Sequence, residues 1–284
     1  MIIFFESGRI GNQLFQYCAL RKLQKNGTLY LIGMQSLKSM FNNVEVAGAT
    51  SFEKFIERFI YCLGIEVLGG FAKRLRLIGT IEERDTLEGK QIVLRKGLLR
   101  KVCFCDSLHF QSEELIDEFV AKKLHLKPQL LMTASKIFMK FPLDRTETFF
   151  VHIRRGDYIY WPSKASPAVL PLKWYQQQMD QIRSKYAKPF FVVVSDDGPY
   201  ADEMFAMFQD VFVAHESEEV DFALMSLCDG GGILSASSFS WWAAYFARRN
   251  GAEYFIAPLY WAGHQRRDWL PAGIKTSWLN YANV

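Results

Sequence analysis

Short, unbroken apolar runs alternate with amphipathic stretches through the second half of the chain. Thr148–Ile153 and Phe190–Val194 are the strongest runs, with the near-continuous apolar character of strands buried on both faces. Val211–Val213, Gly232–Leu234 and Tyr254–Ala257 are shorter runs of the same kind, and Pro258 stops the last. Between them, Leu172–Lys188, Tyr200–Phe208 and Glu218–Cys228 read as helices. The third has Val220, Leu224 and Leu227 at helical spacing and Ser217 as its N-cap. Ser237 or Ser238 caps a further helix that closes on Arg248-Arg249-Asn250-Gly251, with bases in the final turn and glycine beyond. Strand and helix alternating at this pitch predict a parallel sheet covered by helices on both faces.

The first half opens in the same way. Ile2–Phe5 reads as a strand, Gly8–Gln13 as a glycine loop and Leu14–Gln24 as a helix. Leu14, Tyr17 and Cys18 form one apolar stripe on that helix, which ends a turn before Arg21, so Arg21 and Lys22 are expected to reach water. Beyond Lys38 the periodicity fades. Pro142, within Lys140–Asp144, interrupts the chain just before its strongest strand and divides it into domains 1–144 and 145–284.

Composition narrows the class. Half of the 284 residues are hydrophobic and 15% are aromatic, enough for sizeable cores. The N-terminus lacks the basic flank of a signal peptide, and no apolar run approaches the roughly 20 residues of a membrane span. The longest, Phe59–Phe71, is broken by Glu66 and glycines. Cys18, Cys62, Cys103, Cys105 and Cys228 are odd in number and scattered, as free thiols in a reducing compartment would be. Cys103-Phe104-Cys105 reads as a buried strand. No histidine has metal-ligand spacing, so a zinc site is not expected, and no cofactor is expected. A soluble, cytoplasmic protein is the expectation.

Charge is unevenly placed. Residues 1–146 hold 22 Lys and Arg against 15 Asp and Glu, whereas residues 147–284 hold 12 against 15. Nine of the bases fall between Lys73 and Lys101. An ordinary solvated face explains them. The functional alternative is peripheral contact with anionic lipid at the inner face of the plasma membrane, at about 1 kcal/mol per base. No nucleic-acid reading motif accompanies the charge, so nucleic acid is not an expected partner.

Four segments carry candidate chemistry. His152-Ile153-Arg154-Arg155-Gly156-Asp157-Tyr158 ends a buried strand with two guanidiniums and a carboxylate, where ligands sit in open α/β sheets. Adjacent arginines there suit an anion with several oxygens, a phosphate or diphosphate. His152 and Arg154 share a face, which favours Arg154 on the ligand and leaves Arg155 for Asp157. The loop containing Gly11, with Asn12 and Gln13 at the mouth of the first helix, is either a tight turn or a phosphate cradle. Asp196 and Asp197 follow a second buried strand. Asp197 suits a helix N-cap, and Asp196 a ribose hydroxyl or the donor edge of guanine. Ser237, Ser238 and Phe239 open a helix whose free N–H groups offer a seat for a diphosphate, while Trp241 and Trp242 read as core.

Together, GRIGNQLFQY (Gly8–Tyr17), HIRRGDY (His152–Tyr158), VSDD (Val194–Asp197) and SSFSWWA (Ser237–Ala243) resemble the α-1,2-fucosyltransferases, most closely the bacterial enzymes that decorate surface polysaccharides. Asp221–Cys228 and Ile256-Ala257-Pro258 with Trp261 add weaker echoes. One departure is Ala236, where the family usually carries asparagine. The resemblance implies an α/β, GT-B-like fold: two Rossmann-like domains with parallel sheets facing a cleft. The donor, GDP-β-L-fucose, is held mainly by the C-terminal domain. The implied reaction is an inverting, metal-independent transfer to the 2-hydroxyl of a terminal galactose in a glycan such as a lipid-linked O-antigen. On this reading Arg154 and the helix start at Ser237–Phe239 hold the departing GDP, with Arg155 beside them. Asp196 reads guanine, and Asn12 and Gln13 close the donor site. Asp157 is the first candidate for the base, with Glu6 and His152 behind it. Two alternatives stay open. The α-1,6- and protein O-fucosyltransferases share arginine motifs of this kind, and Ala236 leaves room for a catalytically silent nucleotide- or glycan-binding protein.

Overall fold

The computed structural model describes residues 2–5, 8–24, 29–44, 79–86, 89–95, 103–105 and 109–284. Glu6, Cys62, the Phe59–Phe71 run and much of the basic stretch lie outside these residues. The chain divides into two compact units, Met1–His125 and Leu126–Val284.

In the N-terminal unit, β1 (Ile2–Phe5) is followed by α1 (Ile10–Leu23), β2 (Leu29–Ile32), α2 (Gln35–Met40) and β3 (Phe41–Asn42). Next come β4 (Gly79–Thr86), β5 (Gly89–Arg95), β6 (Cys103–Cys105) and α3 (Glu118–Lys123), and β7 (His125–Leu126) meets the division. The sheet order is β2-β1-β6-β4-β5. Its neighbours are parallel except β4 and β5, so this sheet is mixed and not wholly parallel as expected. Only residues 87 and 88 separate those two strands, too few for a parallel crossover. Cys103–Cys105 is a strand, as its sequence suggested. A second difference concerns α1. Arg21 is buried, with its guanidinium over the Tyr17 ring, because α1 is enclosed well beyond one stripe; Lys22 is exposed.

The C-terminal unit opens with α4 (Pro128–Phe138), which packs against a later helix. Its tail carries Phe141 onto Phe190 and Phe212, with ring centroids 4.9 and 5.1 Å away. These aromatic contacts tie residues 126–144 to the C-terminal unit. Next follow β8 (Thr148–Ile153), a two-strand ribbon of β9 (Pro162–Ser163) and β10 (Ser166–Pro167), α5 (Leu172–Lys185), β11 (Phe190–Ser195) and α6 (Gly198–Phe205). The unit closes with β12 (Val211–Val213), α7 (Glu218–Ser226), β13 (Gly231–Ile233), α8 (Ser238–Arg249), β14 (Tyr254–Pro258) and β15 (Asn280–Ala282).

Six of these strands form one parallel sheet in the order β12-β11-β8-β13-β14-β15. Counted along the chain this is 3-2-1-4-5-6, the doubly wound order, which places a topological switch point between β8 and β13. Phe149, Val151 and Ile153 share a core with Trp174, Tyr175 and Met179 of α5 and Ala201 and Phe205 of α6. His152, on the other face, meets Phe239 of α8, whose ring in turn meets Phe222 of α7. Both faces are therefore covered, which is why β8 and β11 are largely apolar. Each fully buried Phe contributes about 1.5–3 kcal/mol relative to an exposed one.

The thin strand at the switch point is as specific as the thick ones. A Cβ added at Gly232 would come within 2.5 Å of the Phe150 ring, and one at Gly230 within 2.4 Å of the Phe149 ring. Gly231 has φ +124°, a left-handed value that side chains avoid, and its missing Cβ would meet the Tyr254 carbonyl oxygen at 2.0 Å. Three glycines thus bring β13 close against the aromatic strand β8.

Candidate active site

The site is built at the carboxyl ends of β8, β11 and β13. β8 runs out at Ile153, and the chain then turns through a short 3-10 helix at Gly156–Ile159. That turn fits only because residue 156 is glycine, whose Cβ would stand 2.5 Å from Asp196 Oδ2.

Arg154 is held from two sides. Nη2 donates to Asp157 Oδ1 at 2.5 Å and Nη1 to Asp196 Oδ2 at 3.0 Å. Its side chain is 15% exposed, that of Asp157 61%. Asp196 is held on both oxygens, because Oδ1 also accepts the Arg155 backbone N–H at 2.8 Å. Asp157 therefore pairs with Arg154, not with Arg155 as the sequence suggested. The 3-10 turn brings residue 157 back over residue 154, which spacing along an extended strand does not reveal. Arg155 points elsewhere. Its Nε donates to Asp197 Oδ2 at 2.9 Å, and its guanidinium carbon lies 3.6 Å from the centre of the Tyr200 ring. It faces a cavity of about 570 Å³ whose lining includes Leu170, Tyr200, His264, Gln265 and Arg267. Asp197 caps α6, accepting the Tyr200 N–H at 3.3 Å.

Beside β8, the end of β13 forms a second wall. His152 is 4% exposed, and its Nδ1 lies 2.7 Å from Ser235 Oγ. Burial, with the Arg154 charge adding to it, pushes its pKa down to about 3, so the imidazole is neutral at working pH. Ser237 is the N-cap of α8, accepting the Phe239 N–H at 3.3 Å. Ser240 Oγ donates to the carbonyls of Ser235 and Ser237 and fixes the turn. Trp241 and Trp242 are fully buried. Tyr158 joins the two walls. Its ring lies under Arg154, with 5.4 Å from guanidinium carbon to centroid, and its hydroxyl donates to the Ala236 carbonyl at 2.9 Å. Burial raises the pKa of that hydroxyl, keeping it a donor. Arg154 and the start of α8 are thus brought together across the switch point.

The N-terminal candidates are held within their own unit. Gln13 is buried: its Nε2 donates to the Gly8 carbonyl at 3.3 Å, and its Oε1 accepts the Leu37 N–H at 3.0 Å. Asn12 Oδ1 accepts from Gln111 Nε2 at 2.6 Å, and Gly11 is buried in the first turn of α1.

One candidate group escaped the sequence reading. Asp221, near the start of α7, is buried, and its Oδ1 has no hydrogen-bond partner. Burial, reinforced by Glu216, raises its pKa from 3.8 to about 7. A buried carboxylate oxygen without a donor is costly unless a ligand supplies one. Its neighbour Phe222 packs on Phe239, so α7 lies against the start of α8. The weak echo at Asp221–Cys228 pointed to the segment without showing which atom was unsatisfied.

Known proteins agree with this architecture. The model of glycosyl transferase family 11 matches residues 90–282, and the chain belongs to that family. Among curated relatives, the O-antigen biosynthesis glycosyltransferase WbnK of Escherichia coli is 25% identical, over 96% of this chain and 98% of its own length. Galactoside α-(1,2)-fucosyltransferase 1 of Sus scrofa is 27% identical over 86% of this chain, which spans 64% of that relative's length. Among solved structures, POFUT1 in complex with GDP superposes with a TM-score of 0.53 at 14% identity, over 89% of this chain and 97% of that one. NodZ from Bradyrhizobium gives 0.51 at 15% identity, over 90% and 94%. The fold is α/β and GT-B-like. The protein is a glycosyltransferase of a fucosyltransferase family.

Proposed function

We propose that the protein transfers L-fucose from GDP-β-L-fucose, with inversion and without a metal, to the 2-hydroxyl of a terminal galactose in a surface glycan such as a lipid-linked O-antigen. The observation that carries this reading is Arg154, fixed at the switch point beside the capped N-terminus of α8. Charge builds on the leaving diphosphate as the bond from fucose C1 to the β-phosphate oxygen breaks. The guanidinium and the first N–H groups of α8 are the preorganised donors for that charge. The galactose oxygen attacks C1 from the opposite face, and the electron pair of the broken bond leaves with GDP.

The geometry supports the following residue roles. Asp196, bonded to Arg154 and the Arg155 backbone, positions the arginine and keeps lone pairs for the donor edge of guanine. Asp221, whose Oδ1 has no partner, is a second carboxylate able to accept the N1–H and amino hydrogens of guanine. His152, buried and neutral, positions the Ser235–Ser237 turn. Asp157, exposed beside Arg154, takes the proton that the acceptor loses. Support for the acceptor comes from the names of the relatives: an O-antigen glycosyltransferase and galactoside α-(1,2)-fucosyltransferases. The basic stretch Lys73–Lys101 extends the same reading to anionic lipid carrying the acceptor. Incubation with GDP-fucose and a β-galactoside in the presence of EDTA tests the proposal. GDP and a product with fucose on galactose O2 are expected; a different linkage, or turnover abolished by EDTA, sinks the corresponding clause.

A further inference from the structure

The large aromatic side chains of the C-terminal unit are buried or half-buried, except at one place. Trp174, Trp241, Trp242 and Trp261 are all 2% exposed or less. Tyr160 and Trp161, by contrast, are 63% and 40% exposed, and they stand side by side in the loop that carries Arg154 and Asp157. Leaving such rings in water forgoes a large hydrophobic gain, so two together beside a reaction centre call for an occupant.

The pair is also held in place. The Trp161 N–H donates to the Asp157 carbonyl at 3.0 Å, and its own carbonyl accepts the Ala168 N–H at 2.7 Å. The Trp161 ring leans on Tyr158 at 5.1 Å between centroids, and Tyr158 is the ring beneath Arg154. One short stack therefore runs from the guanidinium through Tyr158 to the half-open indole. Lys164 stands 5.8 Å from the Tyr160 centroid at the outer end. This loop is ordered by backbone hydrogen bonds, so the rings form a preset surface.

We propose that Trp161, with Tyr160 at its margin, is the platform for the acceptor sugar, stacking against the apolar face of its terminal galactose. This rests on the galactoside-transfer reading above and names the residues that recognise its acceptor. In galactose the axial O4 leaves the C–H groups at C3, C4 and C5 together on one face. Weakly positive C–H groups of that kind suit the negative face of an indole. Seated there, the sugar lies one ring away from Arg154 and within the reach of the loop that holds Asp157. The platform selects a pyranose with one clear face and leaves the choice of hydroxyl to the polar groups.

The test measures galactoside binding directly, so that it does not depend on turnover. A β-galactoside is titrated into the GDP-saturated full-length protein and its Trp161→Ala, Trp161→Phe and Tyr160→Ala variants, with GDP affinity measured in parallel. Trp161→Ala is expected to weaken galactoside binding about tenfold, Trp161→Phe to restore most of it, and GDP affinity to stay at the wild-type value. That pattern supports the platform even if fucose is later found on another hydroxyl. Unchanged galactoside affinity in Trp161→Ala, with normal GDP binding, overturns the platform and leaves fucosyl transfer standing. Loss of GDP affinity in both Trp161 variants also overturns it, because the residue then serves the fold.

Discussion

On the proposed reading, Arg154 concentrates the chemistry of this protein in one side chain. Its two ion pairs fix the direction of its fork, so charge alone does not replace it. Arg154→Lys keeps the charge but loses the two-sided grip. The rate constant for transfer should fall about 100- to 1000-fold, as for loss of one preorganised donor, while the thermal melt stays close to wild type. A lysine enzyme with near-normal turnover would remove the arginine from the transition state. Asp221 offers a pH test. Its pKa of about 7 in the free protein means that it is largely protonated below that pH, and a protonated carboxyl accepts poorly from guanine. GDP affinity should therefore weaken as the pH falls from 8 through 7 to 6, and Asp221→Asn should flatten that profile. Calorimetry at the three pH values, on both proteins, decides the matter. Neither the double engagement of Asp196 nor the unsatisfied oxygen of Asp221 is visible in the sequence. Residue type says which atoms accept hydrogen bonds, and only folding says which are already taken.

The elements divide by how much of their signature is local. β8 and β11 are buried on both faces, so their apolar runs announce them with no knowledge of their neighbours. The Ser217 and Asp197 caps are equally local, because each bonds an N–H three residues ahead. β15 was not legible. Asn280–Ala282 is a polar edge strand joined to β14 alone, and nothing in three such residues predicts pairing. Arg21 misled for the opposite reason: its burial comes from what surrounds α1, not from the helix pattern. β13 makes the strongest element-scale prediction. Gly232→Ala pushes a methyl into the Phe150 ring, whose strand is fixed by pairing on both sides. Overpacking of this kind costs about 1–3 kcal/mol, to be read from urea denaturation. A stability equal to wild type would mean that the ring yields freely.

At the scale of the molecule, the division of the chain matters more than its length. Residues 126–144 carry α4 and Phe141, both packed on the C-terminal sheet and helices. A fragment spanning 126–284 should therefore melt cooperatively. One spanning 145–284 should melt lower, or lose a single transition, because it exposes the surface that Phe141 covers. Calorimetric scans of the two fragments test this, and equal melting temperatures would return the division to Pro142. The doubly wound order has a further effect, since it sets one end of the sheet aside for ligands while α5, α6, α7 and α8 carry the stability. The pairing of Arg154 with solvent-facing Asp157 also bears on the order in which the two substrates arrive. On the proposed reading the carboxylate occupies one side of the guanidinium that receives the diphosphate, and nucleotide entry would release it to meet a sugar. Asp157→Asn should consequently bind GDP more tightly than the parent while transferring fucose more slowly. In the parent enzyme the nucleotide sugar should enter first and GDP leave last, a sequence that product-inhibition patterns report directly.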